Sequence, residues 1–315
     1  MKYSIIIPAF KAHFLDECLR SVLSQTVEDY EVVVLNDCSP EDIRGIVKRH
    51  DSPRLRYYEN ENNVGAIDVV DNWNKLLGLA QGEFIICMGD DDKLSLDYLE
   101  KINGLMEQQP GLDVYHARTI IIDEQSVVTD IQRDRPDQQS MYSFLWHADT
   151  SFMGDFCLRT EALRAVGGYV KFPLALYSDW ATIDLLSKEK GIANLHEPIF
   201  SYRNTTESIS NSGDARIKIE ACISIKKWQE KLLEDIPQDP TDQIYRELYL
   251  KNLDRHFSQS HAEYMAEDMS RHFFSGFFHW IGNINRLKVS MRHFILACIK
   301  AIHYKRMGYY NSKKG

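Results

Sequence analysis

The sequence predicts an α/β protein: a mostly parallel sheet flanked by helices, followed by a helical C-terminal region. Three observations carry that prediction. Apolar runs rich in Val and Ile alternate with segments of helical periodicity over the first 125 residues. Those runs are apolar throughout, as strands covered on both faces require. From about residue 214 onward helical patterns dominate. The expected division is a catalytic-type α/β domain over 1–212 and a helical region over 213–315. The first splits into halves of about 1–125 and 126–212.

The elements follow in order. "YSIIIPA" is a β-branched first strand, and Leu15, Cys18, Leu19, Val22 and Leu23 then recur at helical spacing. "YEVVVLND" is a second buried strand, closed by the turn-prone Asn36-Asp37 and Ser39-Pro40. A short helix through Ile43, Ile46 and Val47 leads to "RLRYYEN". Residues 66–80 read as a helix stopped near Gly82, and "EFIICM" is the next strand. Ser95 reads as the N-cap of a helix carrying Leu96, Leu99 and Ile102, and "LDVYHA" as a further strand. Residues 126–150, with "DIQRDRPDQQS", read as a mobile polar surface loop. Beyond 214 the helices break at "DIPQDPTD".

Composition narrows the function classes. Of 315 residues, 44% are hydrophobic and 26% charged, as in an ordinary globular protein. The formal charge of −9 is uneven: after Asp268 there are nine Lys and Arg and no acid, so the first 270 residues carry −18. An acidic body argues against nucleic-acid binding. Six cysteines without a CxxC pair suggest reduced thiols in a cytoplasmic protein. No run approaches the roughly 20 apolar residues that span a bilayer.

Polar clusters stand where strands should end: Asn36-Asp37 with Ser39, Asn62-Asn63 before Gly65, and Asp90-Asp91-Asp92. Any one of them is equally well a turn. In a parallel sheet, however, these ends share one edge, where open α/β sheets bind ligands. Hard oxygen donors suit Mg2+ or Mn2+ together with substrate phosphates. Neither GxxxxGK[ST] nor GxGxxG is present, so a metal would be the phosphate-binding element.

The segments "SIIIPAFKAHFLDECLRSVLSQT", "EVVVLNDCSPED", "ENENNVGA", "NWNKLLGLAQGEFIICMGDDDKLS", "LRTEALRAVGGY", "YSDWATIDLLSKEKG" and "YRNTTESIS" resemble, in order and spacing, the family 2 glycosyltransferases of GT-A fold. The resemblance covers roughly residues 3–210. It implies inverting transfer of a sugar from a nucleotide diphosphate donor, usually a UDP-sugar, to a saccharide or lipid-linked saccharide acceptor. Pro8, Ala9 and Phe10 match the segment lining the nucleotide pocket, Asp37 the acid that receives the uracil N–H, and Ser39 its neighbour. Asp90, Asp91 and Asp92 fall on the aspartate-x-aspartate region. Gly89 stands where many members have its first Asp, so Asp91 is the expected metal ligand, with Asp90 on the ribose or sharing the metal and Asp92 beside them.

Other positions follow the resemblance less closely. Asn63 and Gly65 belong to the donor side. The interval from Gly65 to Asn74 is longer than the family's, an expected Arg is missing, and Lys75 stands near its place. Thr205 replaces the His of a "YRxH" pattern, which leaves Arg203 as the phosphate contact. Asp179 matches the acid of the acceptor pocket, a general base for the attacking hydroxyl; from spacing alone it is equally a helix cap. Gly167 and Gly168 let backbone approach the acceptor or form a turn, and Trp180 and Trp146 stack on sugar or fill the core. His147 and Asp149 border the polar stretch.

Two readings fit the basic tail. Residues 286–306 place Leu287, Met291, Phe294, Ile295, Cys298 and Ile302 on one helical face, with Lys288, Arg292 and Lys300 among those opposite. Such a helix lies on an anionic membrane, at the inner face, or packs on the body or in an oligomer contact. Two other functions compete with transfer: a sugar-nucleotide pyrophosphorylase, which lacks its Gly-rich basic loop here, and a non-catalytic nucleotide-binding scaffold.

Overall fold

The computed structural model describes residues 1–147, 150–205, 214–271, 273–285 and 289–307. It comprises two compact units, Met1–Lys171 with Ser178–Thr205, and Phe172–Tyr177 with Thr206–Gly315. Asp149, the end of "YRNTTESIS", Leu287 and Lys288 lie outside the described residues.

The first unit runs β1 (Tyr3–Ala9), α1 (Leu15–Leu23), β2 (Tyr30–Asn36), α2 (Ile43–Lys48), β3 (Leu55–Glu59), α3 (Val69–Leu79) and β4 (Phe84–Cys87). It continues through β5 (Lys93–Leu94), α4 (Tyr98–Gln108), β6 (Val114–Ile122), β7 (Val128–Ile131), β8 (Gln138–Gln139), α5 (Met141–His147), β9 (Phe156–Arg159), α6 (Thr160–Ala165), α7 (Ser178–Ser187) and β10 (Ile192–Arg203). The sheet order is β3-β2-β1-β4-β9-β6-β10-β5, with β7 on β6 and β8 on β10.

Its first four strands are parallel, and β1 is covered on both faces. Ile5 and Ile7 pack in one cluster with Val32, Leu15 and Leu19, while Ile6, Val33 and Ile85 on the other side are equally buried. That explains the unbroken apolar runs. Register brings Ala9 beside Asn36 and Asn36 beside Glu59, so three strands finish at one edge.

The sheet is mostly parallel, as expected: β1 to β4, β6 and β10 run one way, while the short β9, between β4 and β6, and β5, β7 and β8 pair antiparallel. The structure corrects two other expectations. The helix after Ser95 begins at Tyr98, because Lys93-Leu94 pair with β10 and Ser95 N–H donates to Ile199 O at 2.9 Å. Ser95 Oγ donates instead to Asp97 Oδ1. Residues 126–147 are not a loose loop but β7, β8 and α5. Gln132, Arg135 and Gln139 of this stretch are buried, and Gln132 accepts from Thr119 N–H at 2.9 Å and donates to Asp155 Oδ2 at 2.6 Å.

The second unit holds α8 (Ala215–Leu232), α9 (Pro240–Arg271), α10 (Phe273–Asn283) and α11 (Met291–Met307). Proline opens α9 at the expected break, where a missing N–H costs nothing. Ile219, Met265, Met269, Trp280, Phe294 and Ala297 form its core, and Trp280 Nε1 donates to Asp268 Oδ2 at 2.8 Å. Only part of the expected α11 face is buried: Phe294 with Ala297 and Ala301 goes in, whereas Met291, Ile295 and Ile302 stay exposed. Among the described residues no helix is long and apolar enough to cross a membrane.

Two glycines test the packing of the sheet. A Cβ on Gly82 would sit 2.5 Å from the backbone of Tyr3 and Ser4, which β1 pairing holds fixed. Gly82→Ala should therefore lower stability by about 2–3 kcal/mol. Gly104, inside α4 with open space around it, should gain about 0.5–1 kcal/mol as Ala. Urea midpoints at unchanged slope would read both, and equal midpoints for the two variants would contradict the packing argument.

Candidate functional site

The ends of β1, β2, β3 and β4 bring distant polar residues to one edge. Asp37 follows β2, and its N–H donates to Ala9 O at 2.9 Å, which locks the two strand ends together. Asp37 Oδ1 accepts from Asn60 Nδ2 at 2.7 Å and Val64 N–H at 3.0 Å. Oδ2 has no hydrogen-bond partner among the described residues. Asn63 Nδ2 caps the Asp37 carbonyl at 2.9 Å. Gly65, at φ +76°, turns the chain away from this cluster. Ser39 Oγ donates to Phe10 O, and Pro8 and Ala9 lie within β1 while the Phe10 ring stands exposed at the rim. Lys75 Nζ donates to Asn60 Oδ1 at 2.6 Å and so joins the same network.

The acidic loop after β4 is organised by its own charges. Asp90 Oδ2 accepts from the N–H groups of Phe10 and Lys11, each at 2.7 Å. Asp92 accepts from Gly89 N–H at 3.1 Å and Arg203 N–H at 3.0 Å. Asp91 instead pairs with the Lys11 ammonium, which also lies 3.7 Å from Asp90 Oδ1. Burial pushes the Asp90 carboxyl up to about 6 despite Lys11, and burial beside Asp91 holds Asp92 well above its usual range. Burial alone would depress Lys11, but Asp90 and Asp91 outweigh it and raise its affinity for the proton. A Cβ at Gly89 would meet Asp91 Oδ1 at 2.8 Å and Asp92 Oδ2 at 3.0 Å, so a side chain there would displace those carboxylates.

Arg203 is not left for a phosphate. Its side chain is fully buried, and the guanidinium donates to the Asp91 and Asp123 carbonyls at 2.9 Å, to Ser126 Oγ at 3.0 Å and to Glu17 at 2.7 Å. It braces the acidic loop from beneath. Asn74 is likewise occupied: it brackets the Tyr169 backbone, accepting from its N–H at 2.8 Å and donating to its carbonyl at 3.2 Å. Gly167 and Gly168 have φ of +90° and +96°, and a Cβ on Gly168 would reach Asn74 Oδ1 at 2.3 Å. The Gly-Gly turn is thus fitted to Asn74.

Asp179 is the second residue of α7, not its cap, and accepts from the adjacent Trp180 N–H at 2.9 Å. Dry surroundings, with the charge of Asp155 added, push its carboxyl up to about 7. Asp155 is wholly buried and held by Gln132 Nε2 and by Thr119 Oγ1 at 3.1 Å. The preceding Gly154 leaves no room for a side chain against Phe200 and Met88, two residues before Asp90. Trp180 is partly buried beside Asp179, and His147 is exposed at the end of α5.

Sequence reasoning missed Lys11, Asn60 and Asp155. Each had a local signal: a lone Lys after the first strand, an Asn at the end of β3, and an Asp inside an apolar run. Among the described residues no three His, Cys, Asp or Glu side chains form a ready-made metal cage.

Comparison with known proteins places these residues in context. The model of glycosyl transferase family 2 matches residues 4–167. A GalNAc(5)-diNAcBac-PP-undecaprenol beta-1,3-glucosyltransferase of Campylobacter jejuni is 34% identical over 98 residues, 30% of each chain. The chain therefore spans less than a third of that relative. Bacillus subtilis TuaG, a glycosyltransferase assigned to teichuronic acid biosynthesis, is 32% identical over 66% of this chain and 81% of its own. The crystal structure of Staphylococcus aureus TarS 1–349 with UDP-GlcNAc superposes with TM-score 0.63 at 19% identity, over 98% of this chain and 88% of that one, and shows the same GT-A fold.

The bracing role of Arg203 makes a prediction. Arg203→Met strips donors from two carbonyls and leaves Glu17 with Lys93 and Ser126 Oγ, so stability should fall by about 3 kcal/mol. Urea unfolding reads it directly. An unchanged midpoint with weakened nucleotide binding would instead return Arg203 to the ligand.

Proposed function

The chain belongs to glycosyl transferase family 2, and from that premise we propose that it is an inverting transferase using a UDP-sugar donor. Its acceptor is a hydroxyl of a saccharide or lipid-linked saccharide in bacterial polysaccharide or glycolipid synthesis. The observation that carries this reading is a cation already seated on Asp90 and Asp91, at the strand edge that also holds Asp37.

The uncommitted Oδ2 of Asp37 suits the single N–H that uracil offers between two carbonyls. Pro8, Ala9 and Phe10 would flank the base, with Ser39 holding the Phe10 carbonyl in place. Mg2+ or Mn2+ fits the acidic loop, since the Lys11 ammonium is a stand-in for positive charge there. Asp91 would hold the ion, with Asp90 as its neighbour and Asp92 fixing the loop, and the donor diphosphate would complete the ligand set. When bound, such an ion neutralises charge on the departing diphosphate. Displaced from Asp91, the Lys11 ammonium would be free to meet the same phosphates.

Asp179 is the proposed base. A carboxyl poised near neutrality can accept the acceptor proton as the hydroxyl attacks opposite the leaving group, which inverts the anomeric centre. Trp180 beside it and the Gly167-Gly168 turn would border the acceptor.

Two experiments test the assignment. The base works only when deprotonated, so transfer should fall as pH drops below about 7, with one proton taken up along that limb. Asp179→Asn should bind UDP-sugar as the parent does while transfer drops by about 100-fold or more; transfer at the parent rate would remove Asp179 from the chemistry. Asp91→Asn should weaken Mn2+-dependent stabilisation by UDP about 10- to 100-fold in thermal-shift titrations. Equal stabilisation with and without Asp91 would refute the ion's placement.

A further inference from the structure

The second unit presents an apolar surface that its own core leaves uncovered. Along α11, Met291, Ile295, Ile299 and Ile302 recur at one-face spacing, with exposures of 53, 54, 60 and 42%. Along α10, Phe274 and Phe278, one turn apart, are 77 and 71% exposed. Folding places the other side of α11 inside: Phe294, Ala297 and Ala301 pack with Ala262 and Met265 of α9. Exposed side chains of this size along two neighbouring helices are uncommon unless something binds them.

Charge selects the occupant. Arg292 and Arg306 lie next to the Ile295–Ile299 stripe on the α11 helical wheel, and both are exposed. The acid that touches α11, Glu263, is paired with Lys300 and Tyr304 away from that stripe. No acid occurs after Asp268. A second copy docking through this face by a two-fold axis would bring the arginines against the same basic surface. An anionic bilayer has the complementary sign and takes the apolar side chains into its acyl boundary.

We infer that α10 and α11 form a docking face for an anionic lipid surface, with the isoleucines of α11 inserted and Arg292 and Arg306 on the headgroups. The face binds reversibly, because its apolar stripe is short and the arginines act through a salt-screened field.

The test needs no sugar donor, so its outcome is independent of the transferase reading. The full chain is sedimented with phosphatidylcholine vesicles and with vesicles that also contain phosphatidylglycerol, at low and high salt. Binding is expected only to the anionic vesicles and should weaken with salt. Ile295→Glu with Ile299→Glu, and separately Arg292→Glu with Arg306→Glu, should each weaken it by at least about tenfold. Both pairs are solvent-facing, so urea midpoints should not move. Val128→Glu, exposed in the first unit, is the control that should bind as the parent does. Absence of binding to anionic vesicles overturns the inference. So does a concentration-dependent dimer in sedimentation velocity that the isoleucine pair abolishes, which would give the face to a second copy.

Discussion

Three consecutive carboxylates buried at the end of a strand cannot stay ionised without donors or opposing charge, and that constraint organises the first unit. Asp90 recruits the amides that follow β1, and Asp92 recruits the amide that ends β10, more than a hundred residues downstream. Arg203, arriving with that last strand, turns its guanidinium under the loop and satisfies carbonyls the loop would otherwise orphan. Gly89 leaves the carboxylates where they are, since a side chain there would press on Asp91 and Asp92. What remains is Asp91, whose charge is met by a side chain rather than by the backbone. A backbone donor cannot leave, whereas Lys11 sits on a flexible stem and can yield its place. The loop is thereby rigid in two of its acids and exchangeable at one.

Asp179 obeys the opposite logic. A carboxylate in the first turn of a helix is ordinarily favoured by the helix dipole and by cap hydrogen bonds, both of which lower its pKa. Here it accepts from the adjacent Trp180 N–H, and burial with the charge of Asp155 outweighs the dipole. Asp155 itself is supported by Gln132 and Thr119, so its charge is fixed by hydrogen bonds reaching in from β6 and the segment after β7. One polar residue of the stretch that reads as a surface loop in the sequence, Gln132, thus helps to hold a buried carboxylate.

The legible part of the fold was the part set by local pattern. Strands β1 to β4 and helices α1 to α3 are visible because burial on both faces demands unbroken apolar runs and helical faces demand their own spacing. The acidic loop was legible because three adjacent acids need a partner wherever they sit. Long-range pairing was not legible. Nothing near Arg203 says that its guanidinium is consumed by residues 17, 91, 123 and 126, and "YR" followed by a polar run reads as a ligand contact. Asn74, which the long interval after Gly65 left without a clear place in the sequence, is taken up by the turn at Gly168. Antiparallel β9 was missed because four residues between a 3-10 turn and a helix give no period to count.

The two halves of the candidate site rest on different kinds of structural control. On the donor side, Ala9, Asn36 and Glu59 are placed by parallel register, so a few hydrogen bonds determine where Asp37, Asn60 and the acidic loop converge. That geometry is stiff, because a one-residue slip would turn every strand inside out. The family model covers this side and stops at residue 167. Asp179 stands beyond it, on a helix placed by packing rather than by register, and its chemistry depends on how dry that packing keeps it. Side chains can change there without moving a strand. On the assignment proposed above, a fixed donor edge and a packed, adjustable acceptor wall would let one scaffold keep its nucleotide chemistry while the hydroxyl it serves varies.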